Sequence, residues 1–342
     1  MNKKKNYKWS MLLLAAIALL TYYLLMREYS LRDTLDAIGR ADVRILLAGL
    51  LLPLIYLLGE AESIRRTVTT LGYRTRFGAC MKYSVIGHYY SSITPFATGG
   101  QPVQMYYMDA DGIPVAVSGM TFMLIAVMFK ANLLIFGLLL VALKAELIFT
   151  GIPYFNVLFA VGLVFSVGMM ILLLTAMFSK SLVFRIAEWV INVGAKLRLI
   201  NDRTKTHNKI KRQIKEYNRA AQHLKSNPKL ALKIFLTVMV QRAAMFSVAF
   251  AVYKALGLQG LSWTDILAIQ MATAIACDTL PLPGAVGAAE GIFLSLYGRV
   301  YGDELIAPAL LLTRGINYYL PMLLCGLLAG YFHVAHIKKN NA

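Results

Sequence analysis

Apolar runs long enough to cross a bilayer recur along this chain at about 9–26, 43–59, 113–143, 153–178, 230–257 and 305–332. Charged or turn-forming residues separate them, and the pattern predicts an all-α polytopic membrane protein with about six spanning helices. Two further stretches are apolar but interrupted. One reads Ser91-Ser92-Ile93-Thr94-Pro95-Phe96-Ala97-Thr98-Gly99-Gly100-Gln101-Pro102. The other reads Asp278-Thr279-Leu280-Pro281-Leu282-Pro283-Gly284-Ala285-Val286-Gly287-Ala288-Ala289-Glu290. Proline removes a backbone donor and glycine loosens the chain, so neither stretch passes through lipid as an unbroken helix. Both are expected to form re-entrant helical hairpins. A matched pair of Gly/Pro-broken segments, one per half, points to a transporter's binding site.

The surroundings of the two breaks also match. Leu71-Gly72 and Leu256-Gly257 each open a turn, and Phe77 and Trp263 each stand 18 residues before the first proline of their motif. Lys130 follows Pro95 by 35 residues and Arg314 follows Pro281 by 33. An internal repeat explains this shared order, with one half at 43–178, the other at 230–335, and a basic connector at 179–229 between them, all within a single transmembrane domain spanning 1–342. Counting crossings from the 43–63 span sends the two halves through the membrane in opposite directions, which predicts an inverted repeat.

Charge placement fixes the orientation. The chain is 58% hydrophobic and 15% charged, with mean hydropathy +0.60 and a net charge of +18. Lys3, Lys4, Lys5 and Lys8 precede the first run, Arg65, Arg66, Arg74 and Arg76 follow the second, and Lys338-Lys339 stand near the end. Lys and Arg also crowd the connector between Lys180 and Lys229. The positive-inside rule places all of these in the cytoplasm, both termini included, so the basic balance reads as membrane topology and not as nucleic-acid binding. The first run lacks a small-residue cleavage site after Tyr22-Tyr23-Leu24-Leu25-Met26-Arg27 and is read as a retained anchor. Cys80, Cys277 and Cys325 show no paired spacing, and no metal or cofactor is expected. In the connector, Ile210, Ile214, Tyr217 and Leu224 form an apolar stripe beside Lys211, Arg212, Lys215 and Arg219. The stripe predicts an amphipathic helix, either lying on the anionic inner leaflet or solvated.

Ionisable groups inside apolar segments cost roughly 2.5–3.5 kcal/mol each at a helix centre, so those retained are candidates for function. Lys130 with Asn132, Gln241 with Arg242, and Arg314 with Asn317 lie mid-run. Glu60 and Glu62 end the second run, one turn before Arg65 and Arg66, a spacing that also fits a simple ion pair. Thr94, Thr98, Gln101 and Gln104 supply neutral hydrogen bonds in the first broken segment, and Asp278 and Glu290 flank the second. Amides freed at Gly99-Gly100 or at Gly284 would suit a phosphate or carboxylate. Gly100 and Gly284 are expected at the hairpin tips, where the backbone turns tightly. The alternative is that Asp278 and Glu290 merely pair with Arg242 and Arg314.

No G-x-x-x-x-G-K-[ST], G-x-S-x-G or H-E-x-x-H motif occurs, so neither ATP drive nor a recognisable hydrolase is encoded. Thr94-Pro95-Phe96-Ala97-Thr98-Gly99-Gly100-Gln101-Pro102 and Pro281-Leu282-Pro283-Gly284-Ala285-Val286-Gly287-Ala288-Ala289-Glu290 resemble the paired motifs of the flippase-like, lysylphosphatidylglycerol synthase transmembrane family. That family includes the membrane region of the multiple peptide resistance factor, and the resemblance runs from about 9 to 335. In the bifunctional relatives this region moves aminoacylated phosphatidylglycerol outward, and a separate cytosolic domain makes that lipid from aminoacyl-tRNA. No such domain is expected here, so the lysyltransferase activity in the family name is not expected of this chain. By the same resemblance, Gly99, Gly100, Gln101, Pro283, Gly284 and Glu290 fall on motif positions.

The expected function is a lipid flippase of a bacterial cytoplasmic membrane. Its substrate site would draw on Thr94, Thr98, Gly99, Gly100, Gln101, Gln104, Arg242, Asp278, Pro283, Gly284, Glu290 and Arg314, with Glu60, Arg65 and Lys130 as secondary candidates. The expected partners are an anionic or aminoacylated phospholipid and the membrane itself. A second copy of the chain and a separately encoded lipid synthase are left open. Phosphatidylglycerol lysyltransferase activity and secondary transport of a small solute are the alternatives. A cationic cargo moving outward would face about 2.3 kcal/mol per 100 mV of inside-negative potential, a barrier that a zwitterionic or anionic lipid escapes.

Overall fold

The computed structural model describes residues 30–150, 153–179, 203–280 and 287–341, and no strand occurs among them. Helix α1 (Leu31–Arg40) is capped by Ser30, which accepts a bond from the Asp33 amide at 3.4 Å. Helix α2 (Val43–Thr70) starts on Asp42, which accepts from the Arg44 amide at 2.8 Å. Helix α3 (Phe77–Ser92) and helix α4 (Gly100–Ala110) flank the first break. Helix α5 (Val115–Asn132) runs through a π turn (Leu133–Gly137) into α6 (Leu138–Leu143), followed by the short α7 (Ala145–Phe149) and by α8 (Pro153–Phe178). After α9 (Arg203–Lys225) come α10 (Pro228–Ala255), α11 (Trp263–Cys277), α12 (Ala288–Arg314), a second π turn (Gly315–Tyr319) and α13 (Leu320–Asn341). Among the described residues, five apolar helical stretches are long enough to cross a membrane, and they overlie five of the six expected runs. The run at 9–26 lies outside the described residues.

The helices recur in a common order. Both α2 and α10 have 28 residues, and each ends in the same glycine-dependent cap. At the end of α2 the Gly72 amide donates to Thr69 O at 3.1 Å and the Tyr73 amide to Val68 O at 3.1 Å, with Gly72 at φ 90°. At the end of α10, Gly257 donates to Lys254 O at 3.0 Å and Leu258 to Tyr253 O at 3.2 Å, with Gly257 at φ 78°. A left-handed residue closes both caps, a conformation that glycine adopts without a Cβ clash. A shorter helix follows each cap, then the break. The π turns begin three residues after Lys130 and one after Arg314.

Packing is closest where side chains are smallest. The most extensive helix contact joins α2 to α10. Gly49 lies there against Ala251, and a Cβ at Gly59 would stand 2.5 Å from the Gln241 side chain. Such small-residue contacts let membrane helices approach closely, where dispersion replaces the hydrophobic effect as the attraction. Leu47, Leu51, Leu54 and Leu58 stay exposed on α2 while Leu57, Ala61, Ile64 and Val68 are buried. An apolar residue set on both faces is what a helix between protein and lipid requires. Two large core clusters result, with a small third one of Leu57, Val85 and Cys325. Of the large pair, one gathers Val248, Ile266, Ile269, Phe293, Tyr297 and Tyr301; the other gathers Ile64, Tyr83, Ile86, Met108, Met120 and Ile234.

Two expectations change. The apolar stripe of the connector packs at least partly on protein and not only on a lipid surface. Ala220, Ala221 and Leu224 are buried in the second cluster, and Tyr217 donates to Ala176 O at 3.1 Å. The contorted backbone of the first break sits on Phe96 and Ala97, at φ 53° and 54°, and not on Gly99-Gly100. Gly100 instead opens α4 at a close helix crossing, where a Cβ would lie 2.5 Å from Gly87 O and 2.1 Å from Ser91 Oγ.

Helix α8 offers a paired test of this close packing. A Cβ at Gly162 would meet Ile275 O at 2.0 Å, whereas nothing lies within 4 Å of one at Gly168. Gly162→Ala is expected to lower stability by about 1–3 kcal/mol or more through overpacking against fixed backbone. Gly168→Ala should be neutral or slightly stabilising. Thermal melts of the detergent-purified proteins check both.

Candidate functional site

The second break is bracketed by two carboxylates, each held by a cation from mid-helix. Asp278 caps the end of α11 and accepts from Lys130 of α5 and from Ser166 of α8 through the same oxygen, Oδ2. Glu290, in the first turn of α12, is 3% exposed and accepts from Arg314 Nε at 2.7 Å. Its other oxygen accepts from the Gly287 amide at 2.6 Å, satisfying a donor at the helix start. The Arg314 guanidinium also lies over the Tyr318 ring at 4.5 Å. The expected alternative pairing is therefore half met: Arg314 takes Glu290, but Asp278 goes to Lys130 and not to Arg242. Pro283 and Gly284 lie outside the described residues.

At the first break, Thr94 Oγ1 accepts from the Gly99 amide at 2.8 Å and donates to Tyr90 O at 2.7 Å. Thr98 Oγ1 donates to Pro95 O at 2.9 Å, and Gln101 is exposed. These threonines tie the loop to itself and to the end of α3. Tyr318 donates to Ser92 O at 2.8 Å, so the second π turn buttresses the first break. Each break is thus bonded to the opposite half, through Tyr318–Ser92 and through Lys130–Asp278.

Glu60 stands apart. Its carboxylate accepts from Gln104 Nε2 at 2.9 Å and from Ser84 Oγ at 3.0 Å, with no ion pair among the described residues. Gln104 is 2% exposed and also donates to Tyr83 O, so this expected site residue is held inside the α2–α3–α4 contact. Arg65 is not drawn to any of these groups: with Arg66 it grips Glu62, at 2.8 and 2.6 Å. The simple ion-pair reading of that spacing is what the structure shows.

Arg242 makes no salt bridge among the described residues. It donates one hydrogen bond, from Nη2 to Phe129 O at 3.3 Å, and lies over the Phe129 and Phe246 rings at 5.2 and 5.6 Å. Buried polar atoms without partners gather on the same helices: Arg242 Nε, Gln241 Oε1 and both side-chain polar atoms of Asn132, with Thr313 Oγ1 and Asn317 Oδ1 around Arg314. Native structures leave few such atoms unsatisfied, and those that persist at helix bulges commonly mark sites for water or ligand. Ser166, Thr313 and Tyr318 escaped the sequence reading. The available signal was a small or aromatic hydroxyl inside an apolar run. A crevice of about 820 Å³ opens elsewhere, between α1 and α12, lined by Asp33, Asp36, Arg40, Asp303 and Glu304 at helix ends. It holds none of the expected site residues.

Residues 10–325 match the family model described as "Lysylphosphatidylglycerol synthase TM region". The chain belongs to this family. It is also 26% identical, over 298 residues, to a "UPF0104 membrane protein" of Archaeoglobus fulgidus, an alignment covering 84% of this chain and 86% of the relative. The chain is therefore a multi-pass, all-α membrane protein from a family tied by name to lipid handling.

Breaking the Arg314–Glu290 pair strands a charge in a buried site. Glu290→Gln is expected to cost about 3–5 kcal/mol of stability, since the partner's desolvation is no longer compensated. Glu62→Gln, at a half-buried position of α2 whose arginine partners are more exposed, should shift the melting temperature less. Parallel melts of the two variants decide whether the buried ion pairs hold the fold.

Proposed function

We propose that this protein moves a phospholipid headgroup between the leaflets of a bacterial cytoplasmic membrane, with both termini in the cytoplasm. The two broken segments act as re-entrant hairpins in an inverted repeat and bring their breaks toward the membrane midplane. The observation that carries the reading is the set of partnerless buried polar atoms that includes Asn132 on α5, Gln241 and Arg242 on α10 and Asn317 in the second π turn, together with the paired charges that flank the second break. Buried polar groups of this kind would let a polar headgroup cross while the acyl chains stay in lipid. The shared order of the helices, and the cross-bracing of each break by the opposite half, suit two repeat units that rock against each other. Membership of a family named for lysylphosphatidylglycerol synthase supports a lipid cargo over a small solute.

The test uses purified full-length protein in liposomes carrying fluorescent phospholipid, with a membrane-impermeant quencher added outside. Protein-dependent exposure of inner-leaflet lipid without aminoacyl-tRNA is the expected result. Lipid chemically modified only when aminoacyl-tRNA is supplied would instead make the protein a transferase. Gly100→Val should abolish leaflet movement, and its melting temperature should fall with it, because Gly100 packs on Gly87 and not on cargo.

A further inference from the structure

One acid inside the helix bundle has no cation bonded to it among the described residues. Lys130 holds Asp278, Arg314 holds Glu290, and Arg65 and Arg66 hold Glu62. Glu60, within about one turn of the middle of α2, meets only neutral groups. Gln104 Nε2 donates to its Oε1 at 2.9 Å, and Ser84 Oγ stands 3.0 Å from its Oε2.

The Ser84 hydroxyl is also 3.0 Å from Leu57 O. Ser84 is fully buried, and its hydroxyl has one proton to give to two oxygens. A peptide carbonyl only accepts, so both contacts are hydrogen bonds only when Glu60 supplies a second proton, as a neutral carboxylic acid donating to Ser84. When the acid is ionised, Ser84 turns its proton to the carboxylate and Leu57 O keeps the ladder bond of α2. The same three oxygens accommodate both forms without a cation. Protonation also removes the cost of an ionised carboxylate among apolar helices.

A second titratable group lies one turn away. His88 follows Ser84 by four residues on α3, as Tyr56 precedes Glu60 by four on α2, and the His88 and Tyr56 rings meet edge-on at 5.7 Å. His88 Nε2 is buried without a hydrogen-bond partner, so a ring nitrogen is open to take or deliver a proton. Tyr56 also meets the Phe129 ring at 6.2 Å, and the Phe129 carbonyl holds Arg242. Among the described residues, the titratable and charged groups around Glu60 are Tyr56 on its own helix, His88 on α3, Arg242 on α10 across Tyr56, and Cys325 on α13. Arg242 is the cation of this set, and no bond joins it to Glu60.

We propose that Glu60 is a proton-binding site, with Ser84 and His88 passing the proton to and from it, and that headgroup movement is coupled to the binding and release of that proton. This rests on the lipid-transport reading above and names what drives it. On release the O–H bond of Glu60 breaks, the proton leaves through the open nitrogen of His88 to water, and the carboxylate takes the two neutral donors.

Protonation can be read without transport. Infrared spectra of the purified full chain, with no lipid added, are recorded across a pH series for the wild type, Glu60→Gln and Glu62→Gln. The wild type should show a carboxylic-acid C=O band that fades as pH rises. Glu60→Gln should lose that band with little change in melting temperature, because its amide still accepts from Gln104 and donates to Ser84. Glu62→Gln should keep it. In liposomes carrying fluorescent phospholipid, an imposed pH gradient should shift the wild-type leaflet ratio, by up to about tenfold per pH unit at one proton per lipid, and should leave the Glu60→Gln ratio unchanged. A wild type without the band, or a band that survives Glu60→Gln, overturns the proton site. Wild-type lipid movement indifferent to the gradient overturns the coupling. If Glu60→Gln fails to fold, Ser84→Ala decides: losing the hydroxyl bonded to the acid must displace the band, and an undisplaced band overturns the site. The expected band with no lipid movement under any gradient would sink the transport reading and leave the proton site standing.

Discussion

A charge inside an apolar bundle must be paired or solvated, and this protein's architecture follows from where it does each. Lys130–Asp278 and Arg314–Glu290 tie helix centres to the two ends of the second break. Asp278 terminates α11 and Glu290 lies in the first turn of α12, so these pairs fix the two helix ends on either side of the break. The low dielectric that makes an unpaired charge costly is also what makes these anchors strong. Both cations sit next to a π turn, where one extra residue per turn disturbs the backbone bonding of the helix.

The first break is held by different means. Among the described residues no ion pair reaches it; hydroxyls and backbone hold it, through Thr94, Thr98 and the Tyr318–Ser92 bond. Phe96 and Ala97 occupy left-handed conformations that disfavour residues with a Cβ by roughly 1–2 kcal/mol each, and Phe96 is exposed at the turn. Backbone held in such a state persists only where its surroundings over-determine it. The two halves therefore share an order of helices but not a chemistry, with neutral bonding at one break and ionic bonding at the other.

Glycine carries the second constraint on the fold. Without strong hydrophobic attraction between helices in lipid, close backbone approach supplies the contact energy. Gly59 against Gln241, Gly100 against Gly87 and Gly162 against Ile275 each place a helix where a Cβ would collide. The Gln241 contact joins this packing to the polar interior, because Gln241 donates to Tyr56 O across the α2–α10 seam and lies beside Arg242 in sequence.

Much of this architecture was written in the sequence. Apolar length sets where helices can span, because an unpaired backbone group is not tolerated in lipid; Leu71-Gly72 and Leu256-Gly257 mark their helix ends because only a left-handed residue closes such a cap. Mid-run charges could be identified as exceptional from cost alone. Their partners could not. Lys130 and Asp278 are 148 residues apart, and no local spacing announces that Asp278 would choose Lys130 over Arg242. Gly100 looked like a turn residue, yet its role is set by Gly87 on the neighbouring helix. Local pattern determined which segments are helical, where they break and which charges demand an explanation, since those follow from the chain and the solvent around it. Which charges neutralise each other was decided only by the packing of helices distant in sequence.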